Sequence, residues 1–294
     1  MYGSVSSLIR ACDELRLPVW ELMVRSEMKY ERASRQEVWD KMKNQLGVME
    51  NAAFRGAEGN GVHSPTGLTG GEAAMMRRYR ESGRGLSGDL VLSAVQNSLA
   101  TNEVNAAMGL ICATPTAGSS GTIPGVLFSI DEKRHLTEEQ KVQFLFTASA
   151  FGLVTANNAM IAGAVGGCQA EVGSASAMAA AAAVEVCGGT PQQAAEAFAM
   201  SLSNLLGLVC DPVAGLVEIP CVKRNVVGSV NALACADMAL AGLTNKIPAD
   251  EVIGAMKSIG EKMPVQLRET GLGGLAATPT GQKMKIRIFG EDMD

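Results

Sequence analysis

The sequence predicts an all-α protein, a single large helical domain whose glycine-rich turns converge on one site. Hydrophobic residues make up 47% of the 294 positions while aromatic residues make up only 4%. A core built from Ala, Leu, Val and Met suits close-packed helices better than sheets, which favour aromatic and β-branched side chains. Apolar positions recur at steps of three and four, as in Val38, Met42, Leu46, Met49 and Ala53, the spacing of one helix face. No alternating strand pattern of useful length and no fixed-period repeat is present.

Taken in order, a first helix is expected over 4–15, stopping before Pro18, and a second from about Val19. Ser34 and Glu37 form a capping box for a third. Residues 1–55 read as an amphipathic, charged packing arm, and 56–294 as the helical core that carries the site. The stretch 56–71, GAEGNGVHSPTGLTGG, holds six Gly and a Pro. Regular structure tolerates this poorly, and a loop so long inside a compact domain is usually functional. His63, Ser64, Thr66 and Thr69 are its candidate site residues. Helix resumes over 72–79 and again from 88 to about 99. Residues 114–121 form a small-residue turn, with a helix expected after Pro124. Thr137 and Gln140 open a helix to about 156, SASAMAAAAAVEVC forms one closed by Gly188, and Thr190 before Pro191 starts another that ends near Gly207. The last long helices are expected over 225–241 and 249–262.

Net charge of −5 and a pI near 5.3 argue against nucleic acid as a partner. The densest basic group, Arg77, Arg78 and Arg80, reads as a solvated helix face. Residues 142–170 carry no charge and are long enough to cross a bilayer, but Gln143, Asn157, Asn158 and several Gly indicate a buried helix, so no membrane role is expected. The opening MYGSVSSLIRACDELRLP has acidic residues from position 13 and no long apolar core, unlike an export or transit signal. A cytoplasmic location follows, where seven cysteines are free, catalytic or metal-bound rather than disulfide-linked. Cys12, Cys187 and Cys235 read as core.

Three other cysteines fall among helix breakers: Cys168 in GAVGGCQAEVGSAS, and Cys210 and Cys221 in CDPVAGLVEIPC. With 41 and then 10 residues between them, they are too far apart for a zinc ribbon or a redox Cys-x-x-C, whereas iron-sulfur ligands can be spread this widely. Cys168 and Cys221 each precede an expected helix, near Ser174 and Asn225, whose positive end suits thiolates and an anionic cluster. Three thiolates leave one iron of a 4Fe-4S cubane open, and an open iron is a Lewis acid suited to dehydration. Thr114, Thr116, Ser119, Ser120 and Gly121 could grip a carboxylate, since the turn lacks the Lys of a phosphate loop. Asn102, Glu103 and Asn105, just upstream, would be costly to bury without a partner. Cys112, in ICATP, reads as core or as a thiol lining the site.

The segments NEVNAAMGLICATPTAGSSG, GGCQAEVGSASAMAAAA, GLVCDPVAGLVEIPCVKRN and LRETGLGGLAATPTG resemble the α subunit of the iron-sulfur-dependent, two-subunit bacterial L-serine dehydratases, and the resemblance covers essentially the whole chain. It implies cluster ligands at Cys168, Cys210 and Cys221 and conversion of L-serine to pyruvate and ammonia without pyridoxal phosphate, in amino-acid catabolism and gluconeogenesis. Single-chain relatives end in a cysteine that fills the fourth iron position, whereas this chain ends GEDMD. They also carry an extra domain with a Ser-Ser-His-Thr type motif, which the resemblance implies is supplied here by a separate β subunit in a heterodimer.

Two other functions fit the same residues. An L-cysteine desulfidase would use the same thiols and carboxylate pocket. A non-catalytic iron-sulfur regulator would need a partner surface that this acidic chain does not display. A hydrolase triad would have to use His63, because His135 lies in the charged DEKRHLTEE. For the proton acceptor at Cα, Glu171, Lys223 and His63 are all close to motif residues, and a base from the β subunit is equally compatible.

Overall fold

The computed structural model describes residues 2–290. The expectation that the chain end offers no cysteine rests on 291–294, outside the described residues. Among those described, 13 α-helices and no strands are found. The helices are α1 (Val5–Leu15), α2 (Val19–Glu31), α3 (Arg35–Ala57), α4 (Glu72–Glu81), α5 (Asp89–Ala106), α6 (Thr122–Arg134), α7 (Glu138–Asn158), α8 (Gly163–Gly166), α9 (Ser174–Val186), α10 (Pro191–Asn204), α11 (Cys221–Leu240), α12 (Ala249–Lys262) and α13 (Pro279–Phe289).

Capping chemistry sets many of these boundaries. Ser34, Thr137 and Thr190 each accept the N–H three residues on, and Glu37, Gln140 and Gln193 return the bond to the cap backbone. Donors that the helix cannot satisfy internally are thereby paired.

Two helices are enclosed almost all round. In α9 every residue from Ser174 to Val184 is buried, and in α5 nearly all from Leu92 to Val104 are. Alanine and serine make this possible, because small side chains let neighbouring axes approach. A Cβ on Gly125 of α6 would stand 2.0 Å from Ser98 Oγ of α5 and 3.0 Å from Ala94 O, so that crossing requires glycine. Around α9 pack α6, α7, α10 and α11, and around α5 pack α3, α4, α6 and α11. Phe151 of α7 stacks on Phe198 of α10 at 5.2 Å, and each ring contributes about 1.5–3 kcal/mol by leaving water. The N-terminal helices share this core: Trp20 meets Trp39 at 6.1 Å, and Trp39 meets Phe146 of α7 at 5.6 Å.

The structure corrects several expected boundaries. The helix expected to end near 99 continues to Ala106, because Asn102 and Glu103 find buried partners within the fold. Helix α6 begins at Thr122, with Pro124 inside its first turn, where a missing N–H costs nothing. Helix α11 begins at Cys221 itself, and a five-residue π-turn, Gln169–Gly173, joins Cys168 to α9. The sequence reading also omitted α8, α13 and the 3-10 turns Val265–Leu267 and Gly274–Ala277. The uncharged run 142–170 is divided by the break after Asn158. No helix among the described residues is long and apolar enough to cross a membrane.

Candidate metal centre

Each of the three cysteines sits where backbone geometry is fixed by its neighbours. Cys168 precedes the π-turn, and Gln169 anchors that turn on three elements. Its Nε2 donates to Gly166 O (2.9 Å) and Met256 O (3.0 Å), and its Oε1 accepts from Gly207 N (2.9 Å). Cys210 is paired through its backbone with the chain before α13: Cys210 N donates to Leu267 O (2.8 Å), and Glu269 N donates to Cys210 O (2.7 Å). Cys221 is the first residue of α11 after Pro220. Sequence reasoning placed the helix starts a few residues downstream of Cys168 and Cys221. In the fold the two residues stand at the positive helix ends themselves, which favours the thiolate form.

The side chains converge. Sγ of Cys168, Sγ of Cys210 and a carboxylate oxygen of Glu171 all lie within 4.8 Å of one another, and all three residues are buried. Cys221, also buried, lies within the field of Cys168, Glu171 and Arg224. Arg224 brings the positive charge: Nη1 donates to Val209 O at 2.7 Å, and Nη2 stands 2.7 Å from Asp211 Oδ1. The latter is an ion pair by distance, without a well-directed hydrogen bond to that oxygen.

Proton affinities follow from this crowding. The Cys210 thiol, directed at Cys168, holds the Cys168 sulfur below the usual thiol range against the cost of burial, and the Arg224 charge adds to the effect. Cys210 is pushed up, first by that same bond and then by burial. Burial pushes Cys221 up, and the charges of Cys168 and Glu171 add to it. Burial likewise raises Glu171. The Thr116 hydroxyl and the Gly163 N–H oppose that shift, while the like charge of Glu269 reinforces it. Desolvated thiols and a carboxylate served by one guanidinium form a donor set suited to a thiophilic cation, which would displace their protons. The backbone at Gly163 packs directly against both groups: a Cβ there would stand 2.6 Å from Glu171 Oε2 and 3.1 Å from Cys210 Sγ, so the position requires glycine.

The turn expected to hold a carboxylate borders this centre. Gly118 approaches Glu171, where a Cβ would stand 3.2 Å from Oε2. Asn225 of α11 locks the turn in place, accepting Gly121 N (3.0 Å) and donating to Gly118 O (2.8 Å). Ser119 Oγ lies 2.9 Å from Thr114 O and 3.3 Å from Thr116 O, so its proton stays within the turn. Ser120 accepts from Asn102 Nδ2 at 3.4 Å, and Asn105 Nδ2 donates to Ala117 O at 3.3 Å. Thr114 Oγ1 is buried without a partner, and the Thr116 hydroxyl faces Glu171.

The loop 56–71 reaches the same region. Ser64 Oγ lies 3.1 Å from both Thr66 Oγ1 and Thr69 O, while Thr66 donates to Glu218, three residues before Cys221. His63 is exposed and forms an isolated backbone bridge with Gly70. Lys223 is exposed on α11 and pairs with Glu72 at 3.0 Å. Of Glu171, Lys223 and His63, Glu171 is the one beside the thiols. Cys112 stands apart from them, lining a cavity of about 370 Å³ with Met23, Met42, Met49 and Met178.

Sequence reasoning missed Asp211, Arg224, Asn225, Glu218 and Glu269. A signal for the first three was present: Asp directly after Cys210, and Arg-Asn just beyond Cys221 at the start of an otherwise apolar helix. Glu103 was noticed only as costly to bury. Its carboxylate caps α4, accepting Glu72 N at 2.7 Å and Ala73 N at 3.1 Å.

The serine dehydratase alpha chain family matches residues 14–276. The chain is 58% identical over 290 residues to the probable L-serine dehydratase, alpha chain, of Bacillus subtilis (strain 168), covering 99% of this chain and 96% of that one. It is 42% identical over 285 residues to the L-serine dehydratase, alpha chain, of Peptoniphilus asaccharolyticus, covering 97% of each. L-serine dehydratase 2 of Escherichia coli (strain K12) is 36% identical over 280 residues, covering 94% of this chain and 61% of that one.

Proposed function

The chain belongs to the serine dehydratase alpha chain family, and from that membership we propose that it is the catalytic alpha chain of a cytoplasmic L-serine dehydratase. In this proposal it releases pyruvate and ammonia from L-serine without pyridoxal phosphate, and it works with a separate beta subunit. Cys168, Cys210 and Cys221 hold a 4Fe-4S cluster. The observation that carries the proposal is the buried convergence of Cys168, Cys210 and Glu171 within 4.8 Å, bordered by the 114–121 turn.

When bound, the cluster supplies a Lewis-acidic iron that makes the serine hydroxyl a better leaving group. The chain's own residues do the rest. Thr114 and Thr116 offer hydroxyls to the substrate carboxylate, while Asn105, Ser119, Ser120 and Gly121 hold the turn that presents them. Glu171, whose proton affinity burial raises, takes the Cα proton. Lys223 and His63, both exposed, are the next candidates for that role. The loop carrying Ser64 and Thr66 closes over the Cys210–Cys221 segment and limits access of water. Loss of the Cα proton and of hydroxide gives aminoacrylate, which tautomerises and hydrolyses to pyruvate and ammonia.

Anaerobic reconstitution with iron and sulfide, followed by assay with L-serine in the presence and absence of a beta subunit, tests the proposal. Cys168→Ser, Cys210→Ser and Cys221→Ser should each lose bound iron and pyruvate formation together. Sulfide release from L-cysteine in place of pyruvate from serine would assign a desulfidase instead. A full iron and sulfide complement in the triple variant would exclude the three-thiolate site.

A further inference from the structure

We propose that Glu171 is itself a metal ligand: its carboxylate closes the position that three thiolates leave open on the resting cluster and yields it to serine. This rests on the proposed 4Fe-4S site at Cys168, Cys210 and Cys221.

Four observations carry it. The Glu171 oxygen lies within 4.8 Å of two of the three ligand sulfurs, so it offers its lone pair from the same side as the thiolates. Cys168 and Glu171 are three residues apart, with Glu171 in the π-turn Gln169–Gly173. The turn brings the two side chains within 4.8 Å of each other, and π-turns recur at functional sites.

The third observation is close backbone approach. A Cβ on Gly163 would stand 2.6 Å from Glu171 Oε2 and 3.1 Å from Cys210 Sγ, and one on Gly118 would stand 3.2 Å and 3.4 Å from the two carboxylate oxygens. Glycine at 163 therefore lets the backbone pass against both the carboxylate and the Cys210 sulfur, and glycine at 118 lets a second segment pass against the carboxylate.

The last is charge. Glu171 is buried, and among the described residues it makes no ion pair. The nearby cation, Arg224, is committed to Cys168, Asp211 and Val209 O, and Glu269 adds a like charge. The Thr116 hydroxyl and the Gly163 N–H serve the carboxylate, but buried charges are paired or coordinate a metal, and no cation is paired with this one among the described residues.

The exchange requires no electron transfer. At rest a carboxylate oxygen of Glu171 would hold the open iron, and when the serine hydroxyl takes that place the carboxylate would leave with its electron pair and its negative charge. The freed Glu171 is then the anion that accepts the Cα proton. A hard oxygen donor exchanges from a cluster iron more easily than a soft thiolate, so the same residue can protect the resting site and vacate it.

The test labels the wild-type protein with glutamate carrying carbon-13 in its side-chain carboxyl and reconstitutes the holoprotein anaerobically. Electron-nuclear double resonance is then recorded on the one-electron-reduced cluster with and without L-serine. A carbon-13 coupling at rest that disappears with saturating serine, and that is absent from Glu171→Gln, is the expected result. A cluster-replete wild type with no such coupling, or one whose coupling persists in Glu171→Gln, overturns the assignment while leaving the three-cysteine site standing. Failure of the wild type to hold any cluster would instead overturn the proposed function. Because every glutamate is labelled, Glu218→Gln and Glu269→Gln are measured beside it: a coupling that either abolishes overturns the assignment, and one that survives both supports it, so a Glu171→Gln variant that does not load leaves the outcome decidable.

Discussion

The Thr66 hydroxyl stands 2.8 Å and 3.0 Å from the two carboxylate oxygens of Glu218, tying the glycine-rich loop to the segment between Cys210 and Cys221. Glu218 is 5% exposed, so water cannot replace that donor. Removing one partner of a buried hydrogen bond costs about 1–3 kcal/mol, more where the group left behind is charged. Thr66→Val should therefore lower unfolding stability by at least that order and speed loss of the cluster in air. Urea denaturation of the apo chain and the rate of bleaching of the holoprotein measure the two effects. Wild-type values for both would mean that the loop is not held by this contact.

In the turn 114–121 the two hydroxyl groups at Thr114 and Ser119 have different fates, and their variants should separate binding from folding. Thr114 Oγ1 is buried and unpartnered, as expected of a group that awaits a ligand. Thr114→Val should lower kcat/KM for serine by about tenfold, or roughly 1.4 kcal/mol, at unchanged stability. Ser119 bonds only within its own turn, so Ser119→Ala should cost about 1 kcal/mol of stability. Steady-state kinetics paired with denaturation of each variant decides this, and the reverse pattern would move the carboxylate site away from Thr114.

Glu103 predicts a pH dependence of stability. Its carboxyl, buried on α5, is raised from the usual 4.5 to about 7 by desolvation, against the two backbone N–H groups of Glu72 and Ala73 that it accepts. The folded state therefore holds a proton that the unfolded chain has lost between those values. Stability from this group is fully present below pH about 4.5 and falls as pH rises through about 7. Glu103→Gln, which cannot titrate, should remove that part of the slope. Unfolding free energies of both proteins at several pH values across this window test it, and parallel curves would show that Glu103 ionises normally.

Much of the fold is legible in the chain because local chemistry marks it. Ser34, Thr137 and Thr190 announce helix starts by capping rules that hold whatever the tertiary context. Helix α13 carries the same Thr-Pro signal at Thr278 and Pro279, yet the glycine-rich stretch before it hid the element. The end of α5 was obscured because Asn102 and Glu103, polar residues at 0% exposure, are helical only by virtue of Ser120 and the N-terminus of α4, both distant in sequence. At the site the thiols were visible through their helix-breaking neighbours. Arg224 was not, because a cation on an apolar helix becomes meaningful only once Asp211 and Cys168 are folded against it.

That grouping of Arg224 and Asp211 leads to the final prediction. The side chains are 15% and 5% exposed and 2.7 Å apart, and Asp211 Oδ2 also accepts Leu275 N at 2.7 Å. The arginine therefore reaches from the first turn of α11 to the residue after Cys210, while the aspartate holds the chain that leads into α13. Arg224→Met would leave the Asp211 carboxylate buried with no cation beside it, a loss of about 3–5 kcal/mol for a broken buried pair. Arg224→Lys keeps the charge, but a single ammonium cannot reproduce the planar fork that serves Val209 O and Asp211 together, so a smaller loss is expected. Adding Asp211→Asn to Arg224→Met removes the stranded charge while an amide oxygen can still accept from Leu275. The double variant should accordingly recover a substantial part of the deficit. Denaturation of wild type, Arg224→Met, Asp211→Asn and the double variant, as apo proteins in one buffer, gives the coupling directly. If the double variant is as unstable as the sum of its parts, Arg224 and Asp211 act independently, and the arginine is present for the thiolates alone.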